Sequence, residues 1–184
     1  MKQQLLGALA LASLFPLGVH ADDFSYTYAQ IDYLDAELDE SNVEGDGVGL
    51  SGALAVTDLV HLYAVYQELD FDRGIDASLF EVGAGLNYAL APDLDLVGRL
   101  GYIDVDLDRG DDSGLTLRGT LRGRVAPSFE LEGGVRYVDL DESGDDTSLV
   151  AEARWFFLPQ LALGLGIDTG DDLTVWNVGL RGNF

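Results

Sequence analysis

Arginines and glutamates alternate with apolar residues in the second half of the chain. In "LTLRGTLRGRVAP", Arg118, Arg122 and Arg124 lie two or four residues apart, and Glu130 and Glu132 follow in "FELEGGVRYV". A guanidinium group binds a carboxylate through two parallel hydrogen bonds. The spacing therefore predicts chemistry based on charge, either a ladder of arginine–carboxylate pairs or a charged constriction that selects solutes.

The net charge argues against nucleic acid as the partner of these arginines. The 184 residues include 33 acidic and 10 basic side chains, which gives a formal net charge of −23. Such a chain repels phosphates, whereas nucleic-acid-binding proteins present basic surfaces. We therefore expect no nucleic acid partner.

Residue types that carry catalysis are scarce. The chain has no cysteine, and His61 is the one histidine after residue 21. Neither Ser51 nor Ser78 has a histidine at a matching position, so no catalytic triad can be assembled. We predict that the protein is not an enzyme and needs no cofactor, and that His61 is a turn or interfacial residue.

One acidic segment has the start of a calcium-binding loop. "DLDESG" begins at Asp139, but Val150 occupies the twelfth position, where such loops place a bidentate glutamate. We predict no defined metal site, and we interpret the acidic segments as solvated loops that bind Ca²⁺ or Mg²⁺ loosely.

The elements that carry these residues have a period of two. In "FELEGGVRYV", Phe129, Leu131, Val135 and Tyr137 share one face, opposite the charged side chains. This alternation segregates the charges on a strand and scatters them on a helix. It predicts ten strands, with eight as the alternative, at about 24–36, 46–56, 60–71, 78–90, 94–106, 114–125, 129–140, 147–157, 161–168 and 173–184.

Short turns and longer acidic loops alternate between these strands. Each short turn has three residues flanked by apolar residues, namely Val56 to Val60, Leu90 to Leu94, Val125 to Phe129, and Phe157 to Leu161. Tight hairpins at one end and acidic loops at the other are typical of an up-and-down antiparallel barrel, and an even strand number leaves both termini at the turn end.

The turn after residue 125 sets a register in which paired residue numbers sum to 254. It predicts Arg124 opposite Glu130, Arg122 opposite Glu132, and Arg118 opposite Arg136. The two facing arginines need an acid from another strand, and Glu81 and Glu152 are the candidates.

The polar and apolar faces differ in a way that indicates which one points into the barrel. The polar face is rich in glycine, which suits a crowded interior, and the apolar face is bulky on all ten predicted strands. Its aromatic residues form a belt near the loop end (Tyr33, Tyr66, Phe80, Tyr102, Tyr137, Trp176) and another near the turn end (Tyr88, Phe129, Phe157, Phe184). Two aromatic belts around an aliphatic band predict an all-β, closed transmembrane barrel rather than a soluble periplasmic one.

The polar face then lines the lumen. We predict that Asp32 and the following residues form a lumen charge network: Arg99, Arg118, Arg122, Arg124, Arg136, Arg154, Arg181, Glu81, Glu130, Glu132 and Glu152. Barrels of about this size have interiors that side chains can fill. We therefore expect a largely plugged lumen, with a narrow diffusion channel for small solutes as the alternative.

The first 21 residues are predicted to be a cleaved secretory signal peptide. Lys2 precedes an apolar run, and Val19 and Ala21 are placed three and one residues before the expected cut. Residues 22–184 then form one barrel domain, exported and without disulfides.

The chain from residue 22 resembles the small outer-membrane β-barrels of Gram-negative bacteria, the porin-like and OmpA-like group, in a ten-stranded version. Its closing "VGLRGNF" resembles the group's C-terminal sorting signal, with Gly179, Leu180 and Phe184 in place and Gly182 where an apolar residue is usual. The resemblance implies residence in the outer membrane, contact with lipid and lipopolysaccharide, and passage through periplasmic chaperones and the barrel-assembly machinery. A structural or surface-interaction role is the function we expect.

Overall fold

The computed structural model describes residues 24–38, 43–72, 74–107 and 110–184, so the predicted signal peptide lies outside the described residues. It contains ten β-strands: β1 (Tyr28–Leu38), β2 (Val43–Ala55), β3 (Val60–Phe71), β4 (Ile75–Ala91), β5 (Leu94–Leu107), β6 (Gly110–Ala126), β7 (Phe129–Leu140), β8 (Gly144–Leu158), β9 (Leu161–Thr169) and β10 (Leu173–Asn183). Each strand pairs antiparallel with the next, and β1 pairs with β10, which closes the sheet. The predicted ten-stranded barrel is confirmed, and the alternative of eight strands is wrong.

Side chains alternate between the outer surface and the lumen along every strand. On β4, Leu86 and Tyr88 are 63% and 64% exposed, whereas Asn87 between them is 6% exposed. All ten strands expose leucine, isoleucine, valine or aromatic side chains on the outside. A closed barrel with a continuous apolar exterior is built to face lipid. The described residues contain no helix long and apolar enough to cross a membrane.

The first strand begins later than predicted. Strand β1 starts at Tyr28 rather than at residue 24, and residues 24–27, here called the N-terminal segment, are not part of the sheet. The amide of Phe184 donates a hydrogen bond to the carbonyl of Thr27, 3.0 Å away, and beyond this bond the segment turns away from the ladder. It contacts lumen side chains instead.

The strands extend further at the loop end than predicted. Strands β2, β4, β6 and β8 begin at residues 43, 75, 110 and 144, three or four residues earlier than expected. Each extension has a neighbouring strand that keeps its backbone groups paired, while its acidic side chains stay in solvent. The acidic residues therefore lie mainly on strand ends, and short connections such as residues 141–143 and 170–172 join them. Gly74 (φ 73°) and Gly144 (φ 90°) supply left-handed conformations at two of these turns.

The turn-end hairpins have the predicted register. Two-residue turns follow β4, β6 and β8, and each is accompanied by a register shift in the preceding strand. After β6 the shift falls between Arg124 and Ala126, so Arg124 lies opposite Glu130 as expected. The Pro127 ring occupies the turn itself, where no ladder hydrogen bond is required of its nitrogen.

Glycines on the inner face provide room for large side chains. A Cβ atom on Gly83 or Gly101 would overlap the ring or hydroxyl of Tyr63, and one on Gly85 would overlap the ring of His61. The small positions on β4 and β5 therefore receive the aromatic side chains of β3, which fill the lumen at this level.

Candidate functional site

The lumen is occupied by a layer of packed side chains between two cavities. The central layer consists of His61, Asn87, Thr120, Arg122, Glu130, Glu132 and Arg154, all of them buried. The turn-end cavity has a volume of about 750 Å³ and is bordered by the N-terminal segment and by residues 55–59 and 89–92. The loop-end cavity has a volume of about 540 Å³ and extends to Leu107 and Leu173 at the loop end.

All eleven side chains of the predicted charge network lie on the lumen side of the strands, as does Asp32. Their partners differ in part from those that register alone suggests. Arg122 lies opposite Glu132 along the ladder, but its Nε and Nη2 atoms both donate to Glu130, at 3.0 and 2.6 Å. Arg124 is 3.7 Å from the other oxygen of Glu130. One carboxylate on β7 thus receives two arginines from β6.

Glu132 is the centre of a second group of contacts. It accepts hydrogen bonds from Arg154 Nη2 at 2.7 Å and from Thr120 Oγ1 at 2.9 Å. The same nitrogen of Arg154 also donates to Glu152 on its own strand. Since Glu132 and Arg154 are 5% and 3% exposed, the pair is held almost out of water, where charge-assisted hydrogen bonds are strong and unpaired charges are costly.

Arg136 forms an ion pair with a carboxylate on a distant strand. It lies opposite Arg118 as predicted, and its guanidinium contacts Glu81 at 2.9 Å and Asp168 at 3.4 Å. Glu81 is one of the two acids proposed from the sequence, and it also accepts a hydrogen bond from the hydroxyl of Tyr63 at 2.6 Å. The contact crosses the lumen, because Glu81 is on β4 and Arg136 is on β7.

Three arginines form a row across neighbouring strands. Arg99 on β5 lies opposite Arg118 on β6, which lies opposite Arg136 on β7. Arg99 donates from Nε to His61 Nε2 at 3.2 Å, and its guanidinium is 5.4 Å from the centre of the Tyr63 ring. The buried Nε of Arg118 has no hydrogen-bond partner among the described residues.

The N-terminal segment lies in the lumen at the turn end. The carbonyl of Ser25 accepts hydrogen bonds from Arg122 Nη1 at 3.0 Å and from Arg181 Nη2 at 3.2 Å. The Phe24 ring lies 4.8 Å from the guanidinium of Arg122 and 5.0 Å from that of Arg124. The carbonyl accepts guanidinium protons of Arg122 and Arg181, and together these contacts attach the segment to two strands of the wall.

Tyr26 adds a second attachment. Its hydroxyl donates to Asp95 at 2.7 Å, and its ring is stacked on His61 with 5.1 Å between ring centres. The prediction that His61 is a turn or interfacial residue is wrong, because its side chain is 0% exposed and lies in the lumen. Its Nδ1 is 2.7 Å from the amide oxygen of Asn87, so a polar, enclosed site satisfies both ring nitrogens.

The C-terminal residues occupy the strand that closes the barrel. Leu180 faces outward and is 43% exposed, whereas Gly179 faces the lumen against Asp32. Asp32 accepts hydrogen bonds from Gln30 Nε2 at 2.9 Å and Asn177 Nδ2 at 3.1 Å. The role of Gly179, Leu180 and Phe184 as a sorting signal stays a prediction.

The segment with a calcium-loop start forms a hairpin. The side chain of Asp139 is exposed on the outer face of β7, whereas that of Val150 is buried in the lumen. Asp112 accepts backbone hydrogen bonds from Ser143 at 2.8 Å and Glu142 at 3.2 Å. The side chain of Ser143, and then these backbone bonds, hold the pKa of the Asp112 carboxyl below its ordinary value. Within the described ranges, no three histidine or acidic residues come together at a spacing suited to a metal ion.

A closed antiparallel barrel with an apolar exterior and a charged lumen defines the chain as a transmembrane β-barrel. No family model matches the chain, and no curated protein matches it in sequence. It is similar in structure to the NanC porin, with a TM-score of 0.52 and 10% identity over 84% of this chain and 100% of that chain. It is also similar to the COG4313 outer membrane channel from Pseudomonas putida F1, with a TM-score of 0.52 and 12% identity over 92% of this chain and 100% of that chain. The fold is therefore that of the small, porin-like outer-membrane barrels.

Proposed function

We propose that the protein is an outer-membrane barrel whose lumen is closed by its own side chains, and that it acts as a structural or surface-interaction protein rather than as a channel or an enzyme. The exported chain spans the membrane with its loop end outside the cell. The acidic strand ends then form the surface that meets lipopolysaccharide, cations or other cells.

One observation supports the proposal that the lumen is closed. The central layer and the N-terminal segment lie in the lumen between the two cavities. The side chains of the central layer are buried and hydrogen-bonded, and Arg122 also donates to the Ser25 carbonyl of the N-terminal segment. An ion that crosses this layer must separate arginine–carboxylate pairs that exclude water, which costs several kcal/mol. Spontaneous opening is therefore expected to be rare.

Single-channel recording tests this proposal. We expect the refolded barrel, inserted into a planar lipid bilayer, to give no steady conductance steps at moderate voltage. Insertion is checked in parallel by protease protection, and folding by a difference in gel migration between heated and unheated samples. Steady single-channel steps from inserted protein contradict the closed lumen and favour the second candidate.

The second candidate is a narrow diffusion channel. Cavities of about 540 and 750 Å³ already occupy the two ends of the lumen. Part of the material between them is the N-terminal segment, in which residues 24–26 are attached to the wall by hydrogen bonds to side chains and by ring contacts, and Thr27 is bonded to the backbone at the end of the sheet. Displacement of the four residues of the N-terminal segment is a smaller change than the opening of a sheet. This favours a channel, rather than an enzyme, as the second candidate function.

The acidic loop end is the part of the proposal that concerns cations. Carboxylates face one another directly across strands on the outer surface, as Asp35 and Asp46 do between β1 and β2, and Asp139 and Asp145 between β7 and β8. Like charges in this position destabilise a sheet. We expect CaCl₂ to raise the urea unfolding midpoint more than NaCl of equal ionic strength, as measured by tryptophan fluorescence. Equal effects of the two salts indicate screening alone and contradict cation binding.

A further inference from the structure

One wall of the loop-end cavity is positively charged. Arg99, Arg118 and Arg136 are in register on three neighbouring strands, and all three side chains line this cavity. Their guanidinium groups therefore face the same volume. Three positive charges side by side repel one another unless negative charge is placed among them.

Carboxylates directly contact one of the three arginines. Arg136 pairs with Glu81 and Asp168. Neither Arg99 nor Arg118 forms an ion pair with a carboxylate in the part of the chain that the structure describes. Arg99 has a histidine nitrogen and an aromatic ring as its neighbours. Arg118 has an Nε atom that is buried and lacks a hydrogen-bond partner.

A buried N–H group without an acceptor is unfavourable, and a charged one more so. Such groups in native proteins are satisfied by water or by a ligand. We propose that the loop-end cavity binds an oxyanion, the carboxylate or phosphate group of a small solute, with Arg118 at its centre and Arg99 and Arg136 on either side.

The described carboxylates of the same cavity accept no hydrogen bond from Arg99 or Arg118. Asp32 accepts hydrogen bonds from two side-chain amides, and Glu132 and Glu152 both accept from Arg154. Asp32, on β1, and Glu152, on β8, lie outside the three strands that carry the arginine row. Glu132 lies on β7 and interacts electrostatically with Arg99 and Arg118, but its hydrogen bonds come from Arg154 and Thr120. Arg99 and Arg118 thus have guanidinium donors that no described carboxylate accepts, and these are left for a ligand.

The dimensions of the cavity limit the ligand to a small solute. A volume of about 540 Å³ is within the range of roughly 300–1,000 Å³ found for small-molecule sites. The cavity extends to the loop end, so a solute reaches it without crossing the central layer. The site therefore does not depend on whether the lumen conducts.

Isothermal titration calorimetry of the refolded barrel in a nonionic detergent tests the site. The probes are gluconate, glucose 6-phosphate and glucose, which share a six-carbon frame and differ in charge. We expect one or both anions to bind and glucose not to bind. Loss of a charge-assisted hydrogen bond makes binding about tenfold weaker or more in Arg118→Gln.

Arg124→Gln is the matched control, because it removes the same charge at the turn end, outside this cavity. It is expected to bind the anions as the unchanged protein does. Binding of gluconate alone identifies a carboxylate ligand, and binding of glucose 6-phosphate alone identifies a phosphate ligand; either result supports the site. Absence of anion binding, equal binding of glucose, or unchanged binding by Arg118→Gln overturns it.

If Arg118→Gln does not fold, Arg118→Lys takes its place. Lysine keeps the charge but lacks the planar fork of donors, so weaker anion binding is expected, and unchanged binding overturns the proposal. A negative result in these titrations leaves the closed lumen untouched, since conductance is measured separately.

Discussion

Replacement of both Phe24 and Tyr26 by alanine is expected to give the barrel a measurable ion conductance that the unchanged protein lacks. The two rings contact the guanidinium groups of Arg122 and Arg124 and cover His61. Without them, water gains access to the central layer from the turn-end cavity. Hydrated charges exchange partners far more easily than buried ones, so conductance steps in a planar bilayer are the expected change.

The matched control removes two aromatic rings at the same end of the barrel but on the lipid side. Phe129 and Trp155 are stacked on the outer face, with 6.4 Å between their ring centres, and each is 46% exposed. The double variant Phe129→Ala, Trp155→Ala is expected to give no conductance steps. If the Phe24→Ala, Tyr26→Ala variant also gives no conductance steps, the arginine–carboxylate layer closes the lumen alone. The N-terminal segment then has no part in the closure.

The sequence allowed the direction of most side chains to be predicted, because a membrane imposes a strict rule. Leu121 must face lipid and Arg122 must face the lumen, since an arginine at mid-bilayer costs about 2–4 kcal/mol. The tight turn after β6 then determines the register with β7. The period of two, the tight turns and the exclusion of charge from the lipid-facing side together specify the barrel. No side-chain contact within the lumen needs to be known for this.

The contacts within the lumen could not be predicted in the same way. Side chains from all strands converge there, so a long arginine can select a partner diagonally or across the barrel. Arg122 thus contacts Glu130 and not the facing Glu132, and Arg136 reaches Glu81 three strands away. The position of the N-terminal segment was missed for a related reason. Its alternation resembles that of a strand, but Phe24 and Tyr26 contact Arg122 and His61 inside the lumen, and the alternation does not specify these contacts.

The contact that is expected to matter most for stability is the one between Glu132 and Arg154. Glu132→Leu removes the buried carboxylate that accepts hydrogen bonds from Arg154 and Thr120. Loss of one partner from a buried ion pair costs about 3–5 kcal/mol. Because Arg154 retains Glu152, the lower part of that range, about 3 kcal/mol, is expected for the decrease in the free energy of unfolding.

Reversible urea unfolding in lipid vesicles measures this effect, with Trp155 and Trp176 on the outer face as fluorescent reporters of the lipid contact. Glu44→Leu is the control, since Glu44 is an exposed glutamate on β2, and exposed substitutions of this kind usually change stability by less than about 0.5 kcal/mol. Glu132→Gln should lie between the two, because the amide keeps an acceptor for Thr120 but loses the charge that Arg154 requires. If Glu132→Leu and Glu44→Leu have the same urea midpoint, the leucine side chain stabilises the barrel as much as the buried ion pair does. The ion pairs of the central layer then close the lumen without stabilising the fold.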